Sequence, residues 1–276
     1  TKNGRLEIVE HEAVVVRRVY QMYLDGFGHY QIADKLNDDG IETVWNKKWT
    51  GTGISKMLTN EKYRGDVRTS KSYSADHLTG RKVINRGEVP SLYYENTHPA
   101  IIEREIWECV QLEHQRQIEY CREHGIAGLN NHTEQFPLVG RVICADCGGV
   151  YRIRGWCQKN NQIWRCVNNL PERGTCKNDV RLSLDLPERI LVAAWNQMVR
   201  DRFQHEAEWQ KLMDSDDPLQ RYRAKDLIRL IDEIGIIESM PYDLLLRVLD
   251  HMEIGMYPDP SSSVASAFMN GIVQTI

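Results

Sequence analysis

Apolar and polar residues alternate with the period of an α-helix in the first part of the chain. In residues 10–25 the pattern predicts an amphipathic helix that ends at Gly26. The same period recurs in residues 29–39 and predicts a second helix, which Gly40 closes. It predicts a short third helix further on, which Thr50 is placed to cap. Three short helices joined by glycine-containing turns are typical of a helix-turn-helix-like unit.

Beyond the third helix the hydrophobic pattern is less regular. Residues 63–67 predict a strand, and the polar residues 68–90 predict a loop. The polar segment at 126–135, rich in Gly and Asn, is the best candidate for a linker between domains. Before it, residues 101–120 predict a helix with four inward side chains, Ile106, Trp107, Val110 and Leu112.

The second half of the chain predicts short strands followed by helices. Strands are expected within residues 136–176. Two helical stretches flank an acidic turn that ends in Pro218, and they predict a short helical hairpin at about 187–238. We therefore expect an α+β fold, with a helix-turn-helix-like domain over residues 1–125 and a second domain, which carries the hairpin, over residues 136–276.

Four cysteines carry the most specific chemistry of the sequence. Cys144 and Cys147 form a C-x2-C pair followed by two glycines, and Cys166 and Cys176 follow at wider spacing. Four thiolates complete a tetrahedral Zn²⁺ site and leave no open position, so we expect one structural zinc in a zinc ribbon. Cys157 is an alternative to Cys166 as a ligand. Ordinary buried cysteines or a disulfide pair are the alternatives to a metal site.

Length and cysteine usage narrow the class of protein. At 276 residues the chain is long enough for two domains. It has no stretch of about eighteen apolar residues and no secretory leader, so we expect a cytoplasmic protein whose thiols are reduced or bound to metal. The chain does not begin with Met, which predicts that it is a piece of a longer protein.

The charge distribution favours a nucleic acid partner in spite of a net charge of −4. Residues 41–86 hold ten Lys or Arg against four acids, and residues 141–189 hold nine against five. Residues 201–260 hold seven bases against fourteen acids, which masks the two basic segments in the total. Because the local field is what attracts a phosphate backbone, the two basic segments are expected to face DNA. The alternative for each segment is a solvated surface without a partner.

The order of these parts resembles one family, the large serine recombinases, which include phage integrases and mobile-element transposases. In the helical region the resemblance rests on Glu10-x-x-Ala13-Val14, Tyr23-x-x-Gly26, Ile32-Ala33-x-x-Leu36-Asn37-x-x-Gly40-Ile41, Trp49-Thr50, Ile54, Leu58-x-Asn60, Tyr63-x-Gly65, His98-Pro99-Ala100-Ile101-Ile102 and Trp107. Further along it rests on Leu138-x-Gly140, Cys144-x-x-Cys147-Gly148, Trp164-x-Cys166, Cys176 and Phe268-x-Asn270-Gly271. Together these motifs span nearly the whole chain.

The resemblance implies double-stranded DNA as the partner and site-specific recombination as the activity of the parent protein. In this family a catalytic domain with a nucleophilic serine and an arginine cluster precedes the matched region, and strand exchange passes through a covalent 5′-phosphoserine linkage. We find no such constellation here and assign no catalytic residue. The full-length protein is expected to be encoded by a bacterium or phage and to act as a dimer on a site and a tetramer in synapsis. The hairpin is short and acidic, whereas many relatives carry a long coiled-coil arm.

The candidate DNA contacts fall into four groups. Lysines and small hydroxyls suited to a major groove flank or line the third helix, at Lys47, Lys48, Thr50, Thr52, Ser55 and Lys56. The same basic segment adds Arg64 and Arg68. On the N-terminal arm, Lys2 and Arg5 are placed to reach a minor groove. Where a ribbon hairpin would project between the cysteine pairs lie Arg152, Arg154, Trp156 and Lys159, of which Trp156 either contacts DNA or packs within the ribbon.

Two other functions fit the same residues. One is a transcription regulator built from a zinc ribbon and a helix-turn-helix, with no enzymatic parent. The other is a zinc-stabilised scaffold for protein interactions that uses the acidic hairpin as its surface. A resolvase-like domain upstream would separate the recombinase from the regulator, and a failure to bind DNA would identify the scaffold.

Overall fold

The computed structural model describes most of the chain, namely residues 6–74, 80–129, 132–155, 162–169, 174–256, 263–269 and 272–275, with side chains described up to residue 255. The chain forms two compact units. The first unit comprises Thr1–Tyr23 and His29–Gln111, and the second comprises Leu24–Gly28 and Leu112–Ile276. None of the helices in the described part of the chain has the length and apolarity needed to cross a membrane.

The first unit begins with the three predicted helices. They are α1 (Glu10–Leu24), α2 (His29–Asp38) and α3 (Gly51–Leu58). Thr50 caps α3 as expected, since its hydroxyl oxygen accepts a hydrogen bond of 3.1 Å from the Gly53 amide. The apolar stripes predicted from the sequence are buried together, with Val19 and Tyr23 from α1, Ile32 and Leu36 from α2, and Ile54 and Leu58 from α3.

The rest of the first unit differs from the prediction in two places. Glu61–Arg64 is a 3₁₀ turn, and only β1 (Val67–Arg68) is a strand, so the predicted strand at 63–67 was wrong for most of its length. Asn60 caps the turn, and Gly65, at a φ of 90°, ends it in the left-handed region. The segment predicted to be a loop contains a hairpin of β2 (Ser72–Ser74) and β3 (Lys82–Ile84).

The first unit closes with a strand pair and the start of a long helix. β4 (Tyr93–Tyr94) pairs antiparallel with β1. The helix α4 (Arg104–Glu123) matches the predicted helix, and its Gln111 is the last residue of the first unit. The predicted inward position of Leu112 is wrong, because that side chain is 39% exposed while the neighbouring Glu113 is buried.

Two sheets organise the second unit. The first sheet contains β5 (Val142–Cys144), and the second contains β6 (Tyr151–Arg154), β7 (Ile163–Cys166) and β8 (Leu182–Ser183) in an antiparallel order β6-β7-β8. A small apolar core lies beside them and consists of Tyr120, Leu129, Ile143, Val150 and Val167. The predicted short strands around the cysteines are thereby confirmed.

Helices follow the strands. α5 (Leu186–Arg200), α6 (Arg202–Met213) and α7 (Pro218–Ile234) occupy the predicted hairpin region, and α8 (Tyr242–Val248) follows them. The first predicted helical stretch is two helices, divided at Asp201, which is both the C-cap of α5 and the N-cap of α6. Asp217 caps α7 through its carboxylate, which accepts a hydrogen bond of 2.8 Å from the Leu219 amide.

Three closing strands complete the first sheet of the second unit. β9 (Leu249–Met256) pairs antiparallel with β10 (Ser263–Met269), which pairs antiparallel with β11 (Ile272–Thr275). β5 adds to the far side of β9 in parallel, with Cys144 opposite Ile254. The predicted α+β class, a helix-turn-helix-like part followed by a ribbon part with a short helical hairpin, is confirmed. The predicted domain limits and the linker at 126–135 stay predictions.

A buried ion network lies in the second unit. Glu113 accepts hydrogen bonds from Arg116 at 2.9 Å and from Arg223 at 2.6 Å, and Arg223 also donates to Asp250 at 3.0 Å. Although burial opposes its ionisation, the charges of Arg223 and Arg116 lower the pKa of Glu113 to about 2. This network explains why Glu113 rather than Leu112 is the inward residue.

Candidate metal centre and nucleic-acid interface

The four predicted cysteines converge in the second unit. The sulfur atoms of Cys144, Cys147, Cys166 and Cys176 all lie within 4.8 Å of one another. The Cys144–Cys176 and Cys147–Cys166 pairs of sulfurs are separated by 3.7 and 3.6 Å. Four thiolates at about 2.3 Å from a tetrahedral Zn²⁺ would be about 3.8 Å apart, so this donor set fits the ion. β7 ends at Cys166, as the sequence predicted.

The backbone around the first cysteine pair forms a tight knuckle. The Cys144 amide donates to the Gly149 carbonyl and the Gly148 amide donates to the Cys144 carbonyl, each at 2.8 Å. Gly148 has a φ of 68°, in the left-handed region that favours glycine. A Cβ on Gly149 would come within 2.4 Å of the Asn168 side-chain nitrogen. The backbone conformation thus favours glycine at position 148, whereas a side chain at position 149 would displace the Asn168 amide.

Two asparagines that were not singled out in the sequence bind the cysteine sulfurs. Asn178 is buried, and its side-chain nitrogen lies 3.3 Å from the Cys144 sulfur while its backbone amide lies 3.4 Å from the Cys176 sulfur. The side-chain nitrogen of Asn168 lies 3.5 Å from the Cys147 sulfur. Amide donors to metal-binding atoms orient them and stabilise their charged form. The position of Asn178 two residues after a cysteine ligand was the only hint available in the sequence.

Asn178 also ties the cluster to its surroundings. Its side-chain nitrogen also lies 3.2 Å from the Ile254 carbonyl of β9 and 2.5 Å from the Asp146 carboxylate, so its two hydrogens are shared among three acceptors, the Cys144 sulfur included. Its side-chain oxygen accepts from the Tyr151 hydroxyl at 3.2 Å and from the Val180 amide at 3.0 Å. A single buried amide thus connects the knuckle to β6 and β9 with both of its polar atoms satisfied.

Without a metal, the thiols differ in acidity. Burial raises the pKa of the Cys144 thiol and raises that of Cys166 to about 11. Burial acts in the same direction on Cys147, but hydrogen bonds from the Gly149 amide and the Asn168 side chain outweigh it and lower its pKa. Cys147 is also the exposed member of the group. A bound divalent cation would deprotonate all four thiols, whatever their acidity in its absence.

The candidate DNA contacts near α3 lie on an accessible surface. Lys47 and Lys48 in the preceding loop are exposed, as are Thr52 and Lys56 on the helix. Ser55 is half-buried, and the exposed Thr50 uses its hydroxyl oxygen for the N-cap. Because Ile54 and Leu58 pack into the core, the opposite face of α3, with Lys56 and Thr52, is turned to solvent.

Arg64 and Arg68 have different surroundings. The side chain of Arg64 is only 11% exposed and donates to the Asp66 carboxylate at 2.5 Å and to the Tyr93 hydroxyl at 2.9 Å. Its guanidinium also lies 4.4 Å from the ring centre of Trp107. Arg64 therefore stabilises the first unit, and its predicted contact with DNA stays a prediction. Arg68 is exposed and bonds the Ser91 hydroxyl at 3.1 Å.

A second accessible basic surface lies on the ribbon. Arg152 and Arg154 are exposed on β6 and alternate with the buried Tyr151. Arg152 is paired in register with Arg165 of β7, whose side chain binds Asn169. Three arginines thus share one face of the hairpin. The remaining predicted contacts, Lys2, Arg5, Trp156 and Lys159, lie outside the described residues, and so does Cys157.

The comparisons with known proteins agree with this architecture. The family described as Recombinase matches residues 10–117, and the recombinase zinc beta ribbon domain family matches residues 137–196. The fold, the cysteine cluster and these two matches define a recombinase-type protein with a zinc ribbon. The chain belongs to the large serine recombinase family.

Two solved structures are similar to the chain. One, described as the crystal structure of an LSR–DNA complex, is 17% identical with a TM-score of 0.49, and the match covers 96% of this chain and 89% of that chain. The other, from work on the sequence requirements of the Listeria innocua prophage attP site, is 16% identical with a TM-score of 0.43 and covers 98% and 91%. Similarities of this size do not by themselves assign a ligand.

Proposed function

We propose that this chain is the DNA-recognition region of a large serine recombinase. It binds one half of an attachment site or transposon end in double-stranded DNA and positions that DNA for recombination. The observation that carries the proposal is the accessible face of α3, where lysines and small hydroxyls surround a capped helix of the kind that enters a major groove. The arginine face of β6 and β7 supplies a second basic surface on a separate unit.

The proposed metal is one structural Zn²⁺ held by Cys144, Cys147, Cys166 and Cys176. The sulfur separations and the amide donors from Asn178 and Asn168 support it. Zinc would fix the relative positions of β5, β7 and the segment that carries Cys176. Because four thiolates leave no open position, the ion would hold the arginine strands in place and take no part in chemistry.

Strand exchange is proposed for the full-length protein, acting as a dimer on a site and a tetramer in synapsis. For this chain we expect binding without covalent chemistry. Incubation with a duplex selected by the chain from a random-sequence library should give a complex that dissociates on a denaturing gel. A covalent band, abolished by a Ser→Ala change within residues 1–276, would overturn the assignment of a recognition role.

A charge substitution tests the interface itself. Lys48→Ala should weaken binding of the selected duplex and lower the slope of log affinity against log salt by about one, because one phosphate contact is lost. Lys211→Ala, an equally exposed lysine on α6, is the matched control and should leave both quantities unchanged. An unchanged slope in Lys48→Ala would place that lysine on a solvated surface, and failure to enrich any duplex would favour the protein-interaction scaffold.

A further inference from the structure

The loop between α2 and α3 ends in a tight, hydrogen-bonded tip. The Thr43 amide donates to the Lys47 carbonyl at 2.9 Å, and the Asn46 amide donates to the Thr43 carbonyl at 2.8 Å. The Thr43 hydroxyl oxygen accepts from the Lys47 amide at 3.2 Å. Asn46 takes a φ of 53°, a left-handed conformation that asparagine tolerates well. The residues between them, Val44 and Trp45, are held at the tip of a defined turn.

Both ends of this loop are fixed to the helix before it. Asn37 of α2 accepts from the Trp49 amide at 2.8 Å and donates to the Trp49 carbonyl at 3.1 Å. The Ile41 amide donates to the Leu36 carbonyl at 2.9 Å. Since the loop is tied to α2 and runs directly into α3, its tip has a set position beside the helix face proposed to bind DNA. Little ordering of the loop would be required on binding, which favours affinity.

The tip presents a large aromatic side chain to solvent. Trp45 is 82% exposed, although burying an indole is strongly favourable. Lys47 and Lys48, both exposed, follow it after one intervening residue, Asn46. A rigid turn that exposes a tryptophan next to two lysines combines a ring for packing with charges for phosphate, which is the combination that nucleic acid binding uses.

The side of the loop that carries Val44 and Glu42 borders a cavity. Val44 and Glu42 line a cavity of about 700 Å³ in the first unit, together with the acidic residues Glu7 and Glu12. Trp45, Lys47 and Lys48 are not part of that lining. Three carboxylates and one lysine, Lys62, lie in this largely apolar lining, so the cavity side is less suited to a phosphate backbone than the tryptophan side.

We infer that Trp45 packs against the sugars and base edges of the duplex next to the groove that α3 enters. This inference rests on the proposed function and adds to it one non-ionic contact, made by Trp45. The partner is double-stranded DNA, recognised by the flat apolar ring while Lys47 and Lys48 bind neighbouring phosphates. The sequence gives no signal for Trp45, because an isolated aromatic residue in a loop forms no periodic pattern and its high exposure is visible only in the fold.

Substitution of the indole tests the inference with the selected duplex as the probe. Trp45→Ala should weaken binding about tenfold or more, and Trp45→Phe, which keeps a ring, should retain most of the affinity. The salt slope should stay that of the unsubstituted chain, because no charge is removed, whereas Lys48→Ala should lower it. Phe203→Ala is the matched control, since Phe203 is 84% exposed on α6 of the other unit and should have no effect.

Fluorescence quenching gives a second, independent measurement. Acrylamide should quench a highly accessible tryptophan component in the free chain, and the duplex should protect it. Trp45→Phe should lack this component. If Trp45→Ala binds as well as the unsubstituted chain, or the accessible component persists in the complex, the inference is wrong while the proposed function stands. If the unsubstituted chain binds no duplex, both fail.

Discussion

The two units support their exposed basic residues in different ways. In the first unit α3 is held by apolar packing, with Ile54 and Leu58 buried in a core formed with α1 and α2. In the second unit the arginine strands lie beside a small apolar core, and β5 and β7 each end in a cysteine of the cluster. A hydrophobic pattern is enough to form the first surface, whereas we expect the second surface to require a metal ion as well.

Removal of one cysteine ligand should produce the largest difference between the two units. Cys166→Ser should leave the chain with little or no zinc, because metal binding and local folding are one equilibrium. Hydrogen exchange followed by mass spectrometry should then show β5 to β8 losing protection while α1 to α3 keep it. Cys157→Ser is the control and should retain the full zinc content in elemental analysis. Full zinc in Cys166→Ser and none in Cys157→Ser would reverse the assignment of the ligands.

In the first unit, the substitution expected to have the largest effect on stability is that of a buried carboxylate. Asp66 is fully buried and accepts from Arg64 at 2.5 Å, from the Tyr93 hydroxyl at 2.6 Å and from the Asn96 amide at 2.9 Å. Although burial opposes ionisation, these three donors lower its pKa to about 2. Asp66→Ala should lower the free energy of unfolding by about 3–5 kcal/mol, because the mostly buried Arg64 keeps only its longer ion pair with Glu108, at 3.7 Å.

Hydrogen exchange should locate the effect of Asp66→Ala in the first unit and leave the ribbon strands protected. Asp39→Ala is the matched control, since Asp39 also binds an arginine but does so on the surface, with Arg18. That substitution should cost less than about 1 kcal/mol. Equal costs for the two variants would show that the buried network contributes no more than a surface ion pair.

Burial lowers the pKa of two histidines of the second unit, His132 and His251, and the pH dependence of that unit should depend chiefly on His132. Burial, and then the charge of Arg141, lowers the pKa of His132 to about 4 from an ordinary value of 6.5. The unfolded chain therefore binds a proton between these values and the folded chain does not, so stability is present above pH 6.5 and is lost as the pH falls toward 4. The loss should reach up to about 3 kcal/mol.

Urea unfolding at a series of pH values measures this contribution. His132→Gln should flatten the curve between pH 4 and 6.5, since the titrating group is removed. The exposed His11 of the first unit offers a control, and His11→Gln should follow the curve of the unsubstituted chain. A His132→Gln curve as steep as the original would mean that other groups carry the pH dependence.

The smallest expected effect is a loss of zinc affinity when Asn178 is substituted. Asn178→Ala removes the side-chain donor to the Cys144 sulfur and should weaken zinc binding about 10- to 100-fold. Competition with a chromophoric chelator measures the affinity directly. Asn196→Ala is the control, because Asn196 bonds only the Ile237 backbone in the described contacts and lies away from the cysteines on α5. An equal loss in both variants would point to general destabilisation instead of a role at the sulfurs.

The sequence predicted correctly those features that depend on residues close together in the chain. The helical period, the Thr50 cap and the C-x2-C pair each require residues only a few positions apart, and the structure reproduces all three. The strand predicted at 63–67 failed because Asn60 and Gly65 favour a capped turn over the extended backbone that the apolar residues suggested. The hairpin of β2 and β3 was missed because each strand has only three residues, too few for the alternation of Tyr73 or Val83 with exposed neighbours to stand out in the sequence.

Contacts between distant residues account for the other misses. Glu113 is inward because Arg223, 110 positions later, binds it, and no periodicity predicts such a partner. Asn178 reaches the Cys144 sulfur across 34 positions, so its role follows only from the folded chain. The cysteine cluster could be predicted despite similar separations, because a tetrahedral ion constrains the types and spacing of its ligands far more strongly than packing does.

The parallel pairing of β5 with β9 has a consequence for synthesis of the chain on the ribosome. Val142 to Cys144 emerge about a hundred residues before their partners Met252 to Ile254, and contacts this far apart in sequence form slowly. The thiols are all available to a metal long before β5 gains its neighbouring strand. An early-bound ion could therefore hold the knuckle closed while β5 is still an unpaired edge, the kind of edge through which nascent chains aggregate. The ribbon's cysteines would thus protect the sheet that contains β5 from aggregation until translation is finished.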